Sequence, residues 1–215
     1  DREELSDMQA FMEVELAAAA GNGDKVILVG HHPTGQGDST VYWGQFLTEL
    51  VLRYHDTIVL HVHGHTHKDE FRLYVDPADG LAKSVSYVGG TANPYTNNNP
   101  QARIFYLDPD TFEVLDFQHF IIDLAEALES GGLDTPIKLS YTATEEYGLA
   151  DMTPLAWQDL TYRMSEDRAE FDVYWSNIRG KSNATGSCNL RCYRDEICLL
   201  QSSSYDLYTA CTGGD

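Results

Sequence analysis

The chain has 215 residues, of which 42% are hydrophobic, and this is enough for one large domain with a substantial core. Its 34 acidic and 14 basic residues give a formal net charge of −20 at pH 7. Electrostatic binding of nucleic acid polymers or anionic lipid head groups is therefore not expected, because such a surface repels their phosphates. No apolar run is long enough to span a bilayer as a helix.

The N-terminal segment has the hydrophobic spacing of an amphipathic helix. Its apolar positions recur every three or four residues and end before a glycine that is typical of a helix C-terminus: Leu5, Met8, Phe11, Met12, Leu16 and Gly21. A chain that begins inside an acidic helix, without a secretory leader, indicates an N-terminus that has been processed or truncated.

A strand, a loop, a helix and a second strand are predicted next. Residues 25–30 (KVILVG) form a continuous apolar run, which predicts a strand buried on both faces. Residues 31–39 are rich in turn-forming residues, and residues 43–54 carry an apolar stripe at helical spacing. Residues 57–62 (TIVLHV) predict a second buried strand. The two strands of such a βαβ unit are expected to be parallel, with their carboxyl ends at one edge of the sheet.

Six of the eight histidines lie in two clusters, one after each predicted strand. These are Gly30-His31-His32-Pro33 and His61-Val62-His63-Gly64-His65-Thr66-His67. Ligands bind at the carboxyl ends of strands in open α/β sheets, and imidazole is the commonest protein ligand for metals such as zinc. The topology therefore predicts that the two clusters meet at a metal site.

The predicted ligands are His31, His65 and His67. Gly64 indicates that the second strand ends there and that the chain turns, so that His65 and His67 are presented from the turn. Three imidazoles and an exchangeable water describe a catalytic zinc-type site. The alternative is that a His-x-His pair arises by coincidence and binds nothing.

The other histidines are expected to have supporting or structural roles. His32, His61 and His63 are predicted to orient the site or to pack. His55 falls at the end of the predicted helix, where the helix dipole favours it. His119 lies in a hydrophobic stretch and is expected to be structural.

The remainder of the chain changes from β-rich to helical. Residues 70–75 and 84–88 predict strands, and residues 103–117 predict a hairpin around Asp108-Pro109-Asp110. From about residue 119 a helical pattern continues to the end. Residues 130–135 suggest a boundary, so we predict one domain over residues 1–130 and a small helical subdomain over 131–215.

The segment of residues 89–101 (GGTANPYTNNNPQ) is a long polar loop. Long loops without regular structure are often functional, so Asn93 and Tyr95 are candidates for lining a substrate cleft. A plain surface loop is the alternative.

All four cysteines lie near the C-terminus: Cys188, Cys192, Cys198 and Cys211. Four cysteines allow three pairings, which the spacing leaves open, and a zinc knuckle fits less well because no CxxC pair is present. A disulfide-stabilised segment in an oxidising compartment agrees with the glycosylation sequon at Asn183. We therefore expect a secreted or lysosomal protein.

Several segments together resemble one family. They are Val29-Gly30-His31-His32-Pro33-Thr34-Gly35, Gly64-His65-Thr66-His67-Lys68-Asp69-Glu70-Phe71, Asn98-Asn99-Pro100 leading to Arg103, Tyr106-Leu107-Asp108-Pro109, and the four cysteines. With them the chain resembles the acid sphingomyelinase-like phosphodiesterases of the calcineurin-like metallophosphoesterase superfamily. The short hairpin at Asp108 favours the sphingomyelinase-like phosphodiesterases over acid sphingomyelinase itself.

The resemblance implies an α/β fold, the C-terminal half of a metallophosphoesterase β-sandwich flanked by helices, followed by a small helical subdomain containing disulfides. It further implies two zinc ions bridged by a carboxylate and a water, with His31 and His65 on one zinc and His67 on the other. The implied chemistry is attack of a metal-bridging hydroxide on phosphorus. The implied cystine bridges are Cys188–Cys192 and Cys198–Cys211.

The resemblance also implies a missing part. The superfamily's earlier motifs, Asp-x-His, Gly-Asp-x-x-Asp and Asn-His, do not occur, and the pairs Gly23-Asp24 and Gly37-Asp38 do not match them. A companion N-terminal segment or chain is therefore expected to supply the bridging carboxylate and the histidine that protonates the leaving group. Within this chain, His32 is the candidate substitute for that histidine.

The expected substrates are phosphodiesters or phosphoanhydrides, including sphingomyelin-like lipids, choline phosphodiesters and nucleotides. Membrane contact is expected only through a lipid substrate. One alternative is a non-catalytic fragment or degenerate homologue that binds at most one metal. Another is a complete single-zinc hydrolase, which would lack an adjacent carboxylate as general base.

Overall fold

The computed structural model describes residues 2–35, 39–132 and 135–213. The Gly37-Asp38 pair and part of the predicted boundary at 130–135 lie outside the described residues, as does the side chain of Leu5. The α-helices are α1 Arg2–Asn22, α2 Val41–Arg53, α3 Leu124–Glu129, α4 Ala143–Tyr147, α5 Pro154–Glu166, α6 Arg168–Asn177, α7 Leu190–Leu200 and α8 Tyr205–Thr212. The strands are β1 Val26–Val29, β2 Ile58–His63, β3 Glu70–Val75, β4 Ala82–Val88, β5 Gln101–Leu107, β6 Val114–Ile121 and β7 Lys138–Thr142.

The strands form two sheets. In the first sheet the order is β1-β2-β4-β3, with β1, β2 and β4 parallel and β3 antiparallel to β4. In the second, β5, β6 and β7 are antiparallel neighbours. The parallel pairing of β1 with β2 and the hairpin of β5 with β6 confirm both predictions.

The first sheet carries a hydrophobic layer on each face. One face contributes Leu60, Phe71 and Tyr87 to a core shared with Phe117 of the second sheet and Trp157 of α5. The opposite face, through Ile58 and Tyr74, packs with apolar side chains of α1 and α2. Two sheets flanked by helices confirm the predicted α/β fold class.

Local sequence signals explain where the helices begin. The side chain of Thr40 accepts a hydrogen bond of 3.2 Å from the backbone N–H of Trp43 and caps α2. Thr153 caps α5 in the same way, and Pro154 follows at the first turn, where it removes no helical hydrogen bond. Among the described residues, no helix combines the length and hydrophobicity that crossing a bilayer requires.

The prediction that β1 is buried on both faces is wrong. Ile27 and Val29 remain 50% and 72% exposed. They pair in register with Leu60 and Val62, so they share the face of the first sheet that packs against the second. β1 is the edge strand on that face, and the described part of the second sheet leaves its side chains uncovered.

Two other sequence expectations differ from the structure. Met8 and Phe11, which match the helical spacing of α1, are exposed, whereas Leu16 is buried. The purely helical region expected after residue 119 contains β7, whose alternating pattern is only five residues long. The predicted division at residue 130 stays a prediction; β7, which follows it, is hydrogen-bonded to β6.

The cysteines form the two disulfides that the family resemblance implies, Cys188–Cys192 and Cys198–Cys211. Both bridges join α7 to its neighbouring segments, the first at its N-terminus and the second to α8. Short loops closed in this way restrict the unfolded chain and stabilise the C-terminal helices.

A buried polar network connects the two sheets. The carboxylate of Asp69, just before β3, accepts hydrogen bonds from Arg103 on β5 and from the hydroxyl of Tyr141 on β7. The guanidinium of Arg103 lies 4.1 Å from the centroid of the Phe117 ring. Nδ1 of His119 lies 3.1 Å from the same carboxylate. The ring of His119 stacks on that of Tyr141, with the ring centroids 4.8 Å apart.

Burial lowers the pKa of His119 from 6.5 to about 4, and the positive charges of Arg103 and Lys181 add to the shift while Asp69 opposes it. Because this pKa is lower in the folded protein, the buried neutral ring stabilises the fold above pH 6.5, and this stabilisation is lost as the pH falls towards 4.

We expect His119→Phe to make unfolding less dependent on pH. Phenylalanine removes the titrating ring and its 3.1 Å contact with Asp69 but no hydrogen bond among the described residues, because neither ring nitrogen of His119 makes one there. Between pH 7 and about pH 5 the unsubstituted protein should lose about 2 kcal/mol relative to the variant. Urea unfolding at both pH values measures this difference, with His55→Gln as the control. Equal losses in parent and variant would contradict the buried neutral ring.

Candidate metal centre

The two histidine turns meet at the carboxyl ends of β1 and β2. The N–H of Gly30 donates to the carbonyl of Val62 at 3.0 Å, and the N–H of Gly64 donates to the carbonyl of His31 at 3.0 Å. The parallel ladder thus continues one step beyond the strands on both sides. β2 ends at His63, as Gly64 predicts.

The second turn has a constrained backbone. His65 and His67 have φ values of 70° and 61°, in the left-handed region that side chains other than glycine rarely adopt. The N–H of Thr66 donates to the carbonyl of Gly64 at 2.8 Å, which closes the turn tightly. Such conformations persist only where the surroundings enforce them, and they concentrate at functional sites.

Three imidazoles converge at this edge. Ring nitrogens of His31, His32 and His65 lie within 4.8 Å of one another. The ring of His65 is centred 3.7 Å from that of His32 and 5.2 Å from that of His31. His31 and His32 are exposed, so His32 is available to the site rather than packed in the core.

His67 lies outside this cluster and faces the polar loop. Its ring is centred 5.7 Å from that of Tyr95, edge to face. Asn93 is exposed, and its side chain accepts a 2.9 Å hydrogen bond from the N–H of Tyr95. The predicted ligands His31 and His65 are therefore adjacent to each other, while His67 contacts Tyr95, one of the two residues predicted to line the cleft.

Hydrogen bonds from amide and guanidinium side chains to backbone carbonyls hold the loop in place. Nδ2 of Asn98 donates to the carbonyl of Tyr95 at 2.8 Å, and Nδ2 of Asn99 donates to the carbonyl of Gly180 at 2.9 Å. Nη1 of Arg179 donates to the carbonyl of Thr96 at 2.7 Å. The loop containing Asn93 and Tyr95 is thus attached to the segment after α6.

His61 and His63 form a buried pair beneath the exposed cluster. Their Nε2 atoms lie 2.6 Å apart, and the ring of His61 is centred 5.3 Å from that of Tyr74. Burial lowers the pKa of His63 to about 4, with Arg72 adding to the shift. Burial and the neighbouring His63 hold the pKa of His61 well below its usual value. Two neutral rings of opposite tautomer share one hydrogen bond, which matches the packing role predicted for them.

The exposed cluster fits a zinc-like ion. Zinc prefers imidazole and binds it at about 2.0–2.1 Å, so two nitrogens on one ion lie at most about 4 Å apart. The nitrogens of His31, His32 and His65 lie within 4.8 Å of one another, close to this condition, and the rings of His31 and His32 are exposed. Among the described residues, no carboxylate joins this group.

The sequence predicted a supporting role for His32, or a role as substitute proton donor, and did not predict that its ring nitrogen lies with those of His31 and His65. The available signal was its adjacency to His31 in a turn without regular structure, where neighbouring side chains are free to point the same way. Asp69 and Arg103 were noted only within resembling segments, because their contact depends on the meeting of two sheets.

Gly30→Ala tests how closely the two turns approach. A methyl group there would lie 2.8 Å from Cε1 and 2.9 Å from Nδ1 of the buried His63 ring. We expect the variant to lose about 1–3 kcal/mol of unfolding free energy, as overpacked sites do. Gly21→Ala is the control, since nothing lies within 4 Å of its added methyl group. Thermal or urea unfolding measures both; an unchanged stability for Gly30→Ala would contradict this packing.

Comparison with known proteins relates this chain to a family. Residues 77–215 match the family described as the acid sphingomyelin phosphodiesterase C-terminal region. The chain is 34% identical over 204 residues to sphingomyelin phosphodiesterase from Bos taurus, covering 92% of this chain and 32% of that protein. It is 26% identical over 215 residues to cyclic GMP-AMP phosphodiesterase SMPDL3A from Rattus norvegicus, covering 94% of this chain and 48% of that protein.

The chain thus spans about a third to a half of the length of these relatives. Relatives of both kinds match, so the narrower preference drawn from the short hairpin at Asp108 stays a prediction. The family match extends from the end of β3 through both disulfides to the C-terminus. The chain belongs to the acid sphingomyelinase-like family and contains its C-terminal region.

Proposed function

We propose that this chain is the C-terminal part of a zinc-dependent hydrolase of phosphodiester or phosphoanhydride bonds. The observation that carries the proposal is the convergence of His31, His32 and His65 at the shared carboxyl ends of β1 and β2. Relatives named as sphingomyelin and cyclic GMP-AMP phosphodiesterases support the reaction class. The substrate classes proposed are sphingomyelin-like lipids, choline phosphodiesters and nucleotides.

In this proposal some of the histidines bind metal and one transfers a proton. His31 and His65 would hold one zinc ion, and His67 would hold a second on the side of Tyr95. When bound, zinc supplies Lewis acidity and lowers the pKa of a coordinated water. His32, beside His65 and open to solvent, would pass a proton to the leaving oxygen. Asn93 and Tyr95 would contact the substrate beyond His67.

A secreted or lysosomal setting is part of the proposal. The two disulfides support an oxidising compartment. Asn183 is exposed in a turn, where a glycan would be accommodated. The low pKa values of His61, His63 and His119 keep the buried rings neutral in mildly acidic solution.

We further propose that an upstream segment of the polypeptide covers the bare face of β1 and supplies the carboxylates. Ile27 and Val29 are exposed on the face that packs against the second sheet. A groove of about 580 Å³ also opens between the sheets, and its lining combines apolar residues such as Leu60, Val85 and Val114 with polar and charged ones. Apolar surface left exposed on the face of a sheet is typical of an interface. The fraction of each relative that the chain spans supports the same proposal.

The second candidate is a non-catalytic module that binds a single metal. It is favoured by the composition of the described cluster, which has three imidazoles and lacks a carboxylate. Metal stoichiometry separates the two candidates. The hydrolase should hold two zinc ions when its upstream region is present, and the module at most one under all conditions.

His65→Ala should abolish hydrolysis of a chromogenic phosphodiester by the polypeptide that includes the upstream region. The substitution removes one imidazole of the cluster and with it a proposed metal ligand. The amount of bound zinc, measured by metal analysis after dialysis, should therefore also fall. His55→Ala, at the end of α2, is the matched control and should retain both zinc and turnover. Retained turnover in His65→Ala would remove the proposed metal role.

Val29→Asp tests the bare face of β1. In this chain alone Val29 is 72% exposed, so the substitution should change the free energy of unfolding by less than about 0.5 kcal/mol. With the upstream region present, the buried charge should lower stability and activity. Leu128→Asp, which is 81% exposed on α3, should be neutral in both contexts. The proposal is contradicted if Val29→Asp is equally neutral with the upstream region present.

A further inference from the structure

The turn at residues 64–67 must be held in place by its surroundings. His65 and His67 both have left-handed backbone conformations, which cost free energy for residues with a side chain. On the N-terminal side the turn is fixed by backbone hydrogen bonds: Gly89 donates to the carbonyl of His63 at 2.8 Å and Gly64 donates to that of His31 at 3.0 Å. A corresponding restraint is required where the chain leaves the turn.

Asp69 provides that restraint with both its backbone and its side chain. Its N–H donates to the carbonyl of Ile178 at 2.9 Å, which attaches the chain to the end of α6. Its carboxylate is buried, at 4% exposure for the residue, and accepts hydrogen bonds from Arg103 and Tyr141. Both donors belong to the second sheet, so the residue two positions after His67 is fixed to a separate structural layer.

The donors are themselves held rigidly. Arg103 lies over the ring of Phe117, in the centre of the core, and Tyr141 stacks on His119 with an interplanar angle of 5°. A charged, forked donor in such a position restricts both the distance and the orientation of the carboxylate. The second sheet therefore acts as a fixed support for the exit from the turn.

In the described part of the chain, the charged residues on either side of Asp69 do not attach the segment to the second sheet. Lys68 pairs with Glu70, and Glu70 pairs with Arg72, all within one segment running into β3. Such contacts between near neighbours move with the segment. The carboxylate of Asp69, by contrast, is hydrogen-bonded to the second sheet, and this contact adds to the β3–β4 ladder that begins at Glu70.

We propose that Asp69, held by Arg103 and Tyr141, is a positioning residue that sets the geometry of the histidine turn and thereby its affinity for metal. This inference rests on the proposed metal role of that turn. A metal site tolerates displacements of only about 0.5 Å in its ligands, and groups that orient ligands typically change metal affinity by about 10–100-fold.

The test uses cobalt(II), whose visible spectrum reports coordination geometry, titrated into the full chain and three variants. Asp69→Asn should weaken cobalt binding by about tenfold or more, and Tyr141→Phe by a smaller factor of about threefold. Tyr174→Phe is the matched control: its hydroxyl also donates to a buried carboxylate, that of Glu196, at 2.7 Å, but this carboxylate belongs to α7 and not to the segment that leaves the turn. Cobalt affinity of Tyr174→Phe should stay within about twofold of the parent.

A second measurement follows the turn without metal. Hydrogen exchange of the Thr66 and Lys68 amides, which bond to Gly64 and to the side chain of Thr66, should accelerate in Asp69→Asn and Tyr141→Phe. The melting temperature of every variant is recorded alongside. The melting temperatures of Tyr141→Phe and Tyr174→Phe should fall to a similar extent. A difference in cobalt affinity between the two variants would then not be explained by a difference in their stability.

The outcomes are distinct. Weaker cobalt binding and faster exchange in Tyr141→Phe and Asp69→Asn, but not in Tyr174→Phe, support the inference. Lower melting temperatures with unchanged cobalt affinity and exchange would make Asp69 purely structural and overturn it. If the unsubstituted chain binds no cobalt, the proposed metal role of the turn fails, and the affinity claim for Asp69 fails with it. Should Asp69→Asn not fold, Tyr141→Phe decides the question.

Discussion

The parallel hydrogen bonding of β1 with β2 is the constraint on which the site depends. Parallel strands end at the same edge, so any residues that follow the two strands are neighbours in space regardless of their separation in sequence. Here the ladder extends past the strands to Gly30 and Gly64, and His31 and His65 follow immediately after these glycines. The absence of a side chain at Gly30 allows the ring of His63 to lie directly against the backbone.

Around this edge the protein separates neutral from charged groups. The buried rings of His61 and His63 stay neutral because burial disfavours the imidazolium form, so they pack beneath the exposed cluster as uncharged polar groups. The charged Asp69–Arg103 pair lies on the other side of the turn, between the two sheets. Removing one partner of such a buried pair is costly, because the remaining charge keeps no counter-ion. The turn is therefore bounded by buried neutral rings on one side and by a buried ion pair on the other.

Strand β3 and the β5–β6 hairpin follow directly from alternation and turn residues, because these signals are local. The disulfide pairing came from family resemblance, since spacing alone leaves three pairings open. β1 was expected to be buried on both faces because its apolar run is continuous, yet Ile27 and Val29 are exposed. A continuous apolar run indicates that both faces of the strand are suited to packing, but the described residues cover only one face of β1.

By itself the sequence determined the order of the strands and helices in the βαβ unit, the end of β2 at Gly64, and the residue type that gathers at the sheet edge. These are consequences of short-range periodicity and of the chemistry of imidazole. Only the tertiary structure decided that His32 rather than His67 joins His31 and His65, and that Arg103 meets Asp69. Both depend on backbone direction within a tight turn and on how two sheets pack, and neither is encoded in the spacing of residues along the chain.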